Sequence, residues 1–113
     1  VFDWLKGHTK DVIAPRAELM ADQLGKKIGK ISVRNTRSRW GSCSHTGNLS
    51  FCWRLILTPN WVLNYVIAHE VSHLAHMNHG PAFWKTVETF EVETDRARAW
   101  LNKNSARLQR IGP

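Results

Sequence analysis

Tyr65-Val66-Ile67-Ala68-His69-Glu70-Val71-Ser72-His73-Leu74-Ala75-His76-Met77-Asn78-His79 is the stretch from which the fold and the chemistry are read. Its upstream half is apolar, and no glycine interrupts it until Gly80-Pro81, so the spacing predicts a helix from about Pro59 to Met77. Thr58-Pro59 suits the start, with Thr as a cap and Pro in the first turn. His69 and His73 stand four residues apart, just over one helical turn, so both rings project from one face toward one point. Glu70 lies about 100° round from His69, beside that point but not on it. A His-Glu-His group is costly to bury in such a helix unless something compensates it, and a metal ion does so. The HExxH pattern therefore predicts Zn2+ held by imidazole nitrogens, with Glu70 as the general base for a hydrolytic water.

A catalytic zinc site needs a third protein ligand. His76 shares the face of His69 but sits about 10.5 Å further along the axis, and three ligands in one line fit a tetrahedral ion poorly. His79 lies past the helix end, where Asn78 and Gly80 let the chain turn back, so the expected set is His69, His73 and His79. His76 is then expected behind a ligand, at the cleft rim, or on the solvated side of the helix. Glu88 or Glu91 on the next helix is the alternative third ligand, and otherwise one of these acids or Asp95 is expected to hold a ligand ring N–H.

Outward from this helix the chain reads as α+β. Asp11 to Leu24 carries Ile13, Ala17, Met20 and Leu24 at helical spacing, with Pro15 in the first turn and Gly25 as a stop. Lys30 to Ser44 and Asn48 to Leu57 predict an antiparallel β-hairpin with Gly47-Asn48 as its two-residue turn. In that register Trp40 pairs with Leu55 on the core face. Cys43 faces Cys52 on the other face, among Arg37, Arg39 and Arg54. Pro81 begins a C-terminal helix that runs, with interruptions, toward Arg107.

The 113 residues fit one domain, 1–113, and the start at Val1 rather than Met suggests a piece of a longer chain. No apolar run is long enough to span a bilayer, so no membrane partner is expected. Cys43 and Cys52 lack a CxxC spacing, which excludes a cysteine-ligated ribbon and argues for reduced thiols in a cytoplasmic setting. A formal charge of +7 leaves two readings, a solubilising surface or a nucleic-acid partner. The stripe Arg96, Lys103, Arg107 and Arg110 on the last helix carries the same two readings. The sequence does not set the oligomeric state.

Further motifs surround HExxH: Arg37-Ser38-Arg39-Trp40-Gly41-Ser42-Cys43, Trp53-Arg54-Leu55, Asn78-His79 and Phe83-Trp84. With them the chain from about Ile31 to Leu101 resembles the YgjP-like metallopeptidases, relatives of the SprT-like and Wss-type zinc proteases. The resemblance implies a compact zincin-like fold, peptide or protein substrates, His69, His73 and His79 as ligands, and Glu70 as base. Cys52 departs from the pattern, which has a polar residue there, and the amino-terminal β-rich region of such proteins is absent. A metzincin assignment fails, because His76 occupies the turn-glycine position and no methionine follows Met77. Tyr65, one turn before His69, is read as a core aromatic, or else as support for the site or an oxyanion donor.

Overall fold

In a computed structural model that describes residues 2–112, the first helix, α1 (Phe2–Gln23), begins nine residues before its expected start. The reason is a longer buried face: Thr9, Ile13, Ala17 and Ala21 recur every four residues and are all buried. Thr9 donates its hydroxyl to the Leu5 carbonyl at 2.7 Å and lies 3.2 Å from the Trp53 carbonyl, so its polar atom is satisfied inside. Pro15 is therefore inside the helix, not in its first turn, and occupies the exposed side.

The expected hairpin is only partly present. The first segment divides into β1 (Ile31–Arg34) and β2 (Gly41–Cys43), and the second strand, β3 (Leu49–Cys52), is much shorter than expected. β3 is central, parallel to β1 and antiparallel to β2. Beyond Cys52 the chain tightens into a 3-10 segment, Trp53–Leu57, which ends the alternation and leaves Leu57 exposed.

Between β2 and β3 the Ser44 N–H donates to the Asn48 carbonyl at 2.9 Å, which leaves a three-residue turn, His45, Thr46 and Gly47. The Gly47 N–H donates to the Ser44 carbonyl at 3.0 Å, and Gly47 adopts φ 88°. This turn followed by a left-handed glycine sets Gly41 opposite Phe51 and Cys43 opposite Leu49. The shift is odd, so it exchanges the faces of the strand. Cys43 does not face Cys52, and Trp40 does not pair with Leu55. Both cysteines are free. Trp40 still packs against the core and donates its indole N–H to Ser105 Oγ at 2.8 Å.

The HExxH helix, α2 (Asn60–Ser72), ends five residues earlier than expected, and tight turns carry the chain on to His76. The C-terminal stretch is two helices, α3 (Pro81–Glu88) and α4 (Thr94–Leu108), with Glu91 at φ 57° between them. α2 is the hub of this α+β domain and touches α1, β2, α3 and α4. Its Val62, Ile67 and Val71 meet Ile13, Phe51, Phe83 and Val87 in one core. Arg54, expected on a solvated strand face, is fully buried; it donates to the Ile111 carbonyl at 2.7 Å and the Thr36 carbonyl at 3.2 Å. Arg37 likewise donates to the Gln109 and Gly112 carbonyls, so both arginines tie down the chain end after α4.

Ile13 is fully buried where α1 meets this core. Ile13→Ala is expected to cost about 2–4 kcal/mol by lost burial and the cavity left behind. The check is the urea midpoint with chelator present.

Candidate metal centre

Almost every residue of α2 from Val62 to Ser72 is buried, so its His69–Glu70–His73 face has little contact with bulk water. The His69 and His73 ring centroids lie 5.1 Å apart, as one helical turn requires. His79 arrives from the loop before α3. Its Nε2 stands 3.3 Å from His69 Nε2, and ligand nitrogens of the three rings lie within 4.8 Å of one another.

α3 sets the position of that loop. Pro81 opens it, which puts Phe83 and Trp84 in its first turn, facing the histidines. The fully buried Phe83 ring lies 5.0, 4.4 and 4.9 Å from the rings of His69, His73 and His79 and forms an apolar floor beneath them. Trp84 donates its indole N–H to the His79 carbonyl at 3.2 Å and stacks on the His79 ring at 5.9 Å. Sequence reading had these two aromatics only as part of a family motif. Their i+4 and i+5 spacing from His79 is the signal that links them to it.

The other nitrogens of the helical histidines are engaged. His73 Nδ1 lies 3.0 Å from the His76 carbonyl; a carbonyl only accepts, so Nδ1 carries the proton and Nε2 keeps its lone pair. His69 Nδ1 is 3.2 Å from the Tyr65 hydroxyl. The support expected from Glu88, Glu91 or Asp95 thus comes from a backbone carbonyl and a phenol instead. Glu88 and Glu91 are exposed and outside the cluster, and the half-buried His76 is outside it too. Burial, then the neighbouring His73, His79 and Arg98 charges, lowers the His69 pKa to about 4, so the ring is neutral at physiological pH. Three converging imidazoles, one of fixed tautomer, fit a transition-metal ion.

Glu70 is buried beside them, and burial raises its pKa to about 7 despite the opposing charge of Arg39. Its space depends on Gly41. A Cβ there would stand 2.9 Å from Glu70 Cγ and 3.1 Å from Oε2. Gly41, Ser42 and Cys43 form one wall of a cleft of about 280 Å³, and the three histidines, Glu70 and Met77 form the other. Cys43 was missed as a cleft residue because the two-residue turn put it on the wrong face. Burial, then Glu70, pushes its thiol up to about 11, which keeps it protonated.

The α4 stripe is locally occupied. Arg96 pairs with Glu93 at 3.3 Å and covers the Trp61 ring at 4.1 Å, Arg107 donates to Asn104, and Arg110 donates to the Ala106 carbonyl.

The model of the family described as "YgjP-like, metallopeptidase domain" matches residues 1–104. The chain belongs to that family. No curated protein matches this member. Its fold is similar to the crystal structure of the metallopeptidase zymogen of Pyrococcus abyssi abylysin, with a TM-score of 0.69 at 22% identity. That likeness covers 87% of this chain and 96% of the other.

In this YgjP-like domain without metal, two titrations oppose each other. Folding raises the Glu70 pKa from 4.5 to about 7, so its contribution is full below pH 4.5 and is lost as pH climbs through 7. Folding lowers the His69 pKa from 6.5 to about 4, so its contribution is lost as pH falls through that window. Glu70→Gln removes only the first. With chelator present, the variant is expected to gain on the order of 1–3 kcal/mol over the parent between about pH 5 and pH 8. Denaturation at the two pH values checks this; a constant difference contradicts it.

Proposed function

We propose that the chain is a zinc-dependent peptidase in which His69, His73 and His79 hold the ion and Glu70 is the general base. The observation that carries this reading is the convergence of three imidazoles, with ligand atoms within 4.8 Å, beside a buried carboxylate. Bound zinc supplies Lewis acidity, lowering the pKa of water toward about 7 and polarising the scissile carbonyl. Glu70 accepts the proton of the attacking water and returns it to the leaving nitrogen. Its pKa near 7 suits both transfers, since it accepts and releases a proton at similar cost.

β2 is an edge strand, paired only with β3 among the described residues, and its Gly41–Cys43 backbone forms the cleft wall. An extended peptide pairing with that edge lies across the metal centre. Met77 and the Phe83 floor keep the surroundings apolar, which strengthens the electrostatics acting on the carbonyl. Tyr65 holds His69 rather than a substrate oxyanion, because its hydroxyl lies against that ring. Residues 1–113 act as one catalytic domain, and two free thiols suit the cytoplasm. No helix is long and apolar enough to cross a membrane. The local partners of the α4 stripe favour a solvated face over a nucleic-acid contact.

Zinc-loaded protein is expected to cut casein. Glu70→Gln is expected to lower kcat by about 10²–10⁴-fold while zinc stays bound. His79→Ala loses most of the zinc and His76→Ala keeps it, as metal analysis of the purified proteins would read. Cleavage that survives chelation, or an unimpaired Glu70→Gln, contradicts the reading.

A further inference from the structure

The positive charge is not spread evenly. Between Asp22 and Glu70 the chain has seven Lys or Arg and no Asp or Glu, whereas the remainder carries nine of each, so the whole +7 excess belongs to this one segment. The segment contains the sheet. On the sheet's outward side the register lines up Ser32, Ser50 and Ser42 in one row across all three strands, opposite the buried Leu49 and Phe51. Lys30, Arg34 and Arg39 surround that row in a groove of about 540 Å³. None of the three forms a salt bridge among the described residues, although the charge of Arg39 is felt at Glu70.

The groove and the metal cleft meet at the edge strand β2, because Gly41, Ser42 and Cys43 line both. A peptide paired with the free edge of β2 sends alternate side chains to the outward face, toward Arg39 and the serine row. The other side of the centre carries positive charge too, since Arg98 lies over Trp84 at 4.8 Å. Apart from Glu70, no acid lines groove or cleft.

We infer that this groove is a substrate subsite selecting Asp and Glu beside the scissile bond, with Arg39 and Arg34 as its specificity-determining residues. The inference rests on the peptidase reading and names its substrate class, acidic segments of proteins. The serine hydroxyls donate to carboxylates that the guanidinium groups hold, and a lysine or arginine at the same place is repelled. Nucleic acid is disfavoured as the occupant. The groove presents no exposed aromatic ring for a base to stack on, and it runs into a cleft built along a strand edge.

The test uses the zinc-loaded protein and two quenched-fluorescent peptides, identical but for Glu or Lys at alternate positions around the central bond. The expected result is a kcat/KM about tenfold higher or more for the Glu peptide, a ratio that shrinks as salt rises. The ratio falls toward unity in Arg34→Gln/Arg39→Gln and stays at the parent value in Arg107→Gln. Equal cleavage of the two peptides, or a preference untouched by the double substitution, overturns the inference.

A binding arm separates this from failure of the chemistry. Fluorescence anisotropy of the same peptides, uncut by metal-free protein, is expected to show tighter binding of the Glu peptide, lost in the double variant. That result without any cleavage upholds the subsite and sinks the peptidase reading. Tighter binding of a short DNA duplex than of the Glu peptide, weakened by the same double substitution, overturns the inference in favour of a nucleic-acid surface.

Discussion

Two imidazoles and a carboxylate at the buried end of one helix, met by a third imidazole from a loop, are the constraint that the architecture serves. α2 is enclosed by α1, β2, α3 and α4, which gives the rigidity a metal centre needs but strips His69 and Glu70 of water. Both groups respond as desolvation dictates: His69 stays neutral and Glu70 holds its proton to about pH 7. In one case that leaves a free lone pair, and in the other a carboxyl group that ionises near neutral pH. The same burial therefore strains the metal-free fold and prepares the site.

Holding the third imidazole is a separate problem, because His79 is exposed and belongs to no helix. α3 solves it from the other side. Phe83 packs against all three rings, and Trp84 grips the His79 carbonyl. The first turn of α3 thus acts as a brace, and the turn at Gly80-Pro81 aims it. Across the cleft, Gly41 lets β2 approach Glu70 closely, so the strand edge and the carboxylate sit side by side.

Much of this was legible in the chain itself. The four-residue spacing of His69 and His73 is a local property of a helix, and their convergence follows from it. The place of His79 followed from Asn78 and Gly80, which allow the chain to fold back. What escaped were long-range features. A parallel partner for β3 cannot be read from a run of alternating residues, so Lys30 to Ser44 looked like one strand rather than β1, a loop and β2. The three-residue turn exchanged the faces of β2 and hid Cys43 from the cleft. Arg54 seemed a surface charge because burying it requires carbonyls at Thr36 and Ile111 that only the folded chain brings near. The helical stripe of α1 extends to Thr9, whose hydroxyl lies against the Trp53 carbonyl, another contact between distant segments.

X-ray absorption spectroscopy at the zinc edge of the purified, metal-loaded protein tests the central claim most directly. The account predicts three imidazole nitrogens at about 2.0–2.1 Å and one further light atom, with the signal of one imidazole lost in His79→Ala. A sulfur scatterer at about 2.3 Å, the distance of a cysteine thiolate, or fewer than three imidazoles, would contradict it.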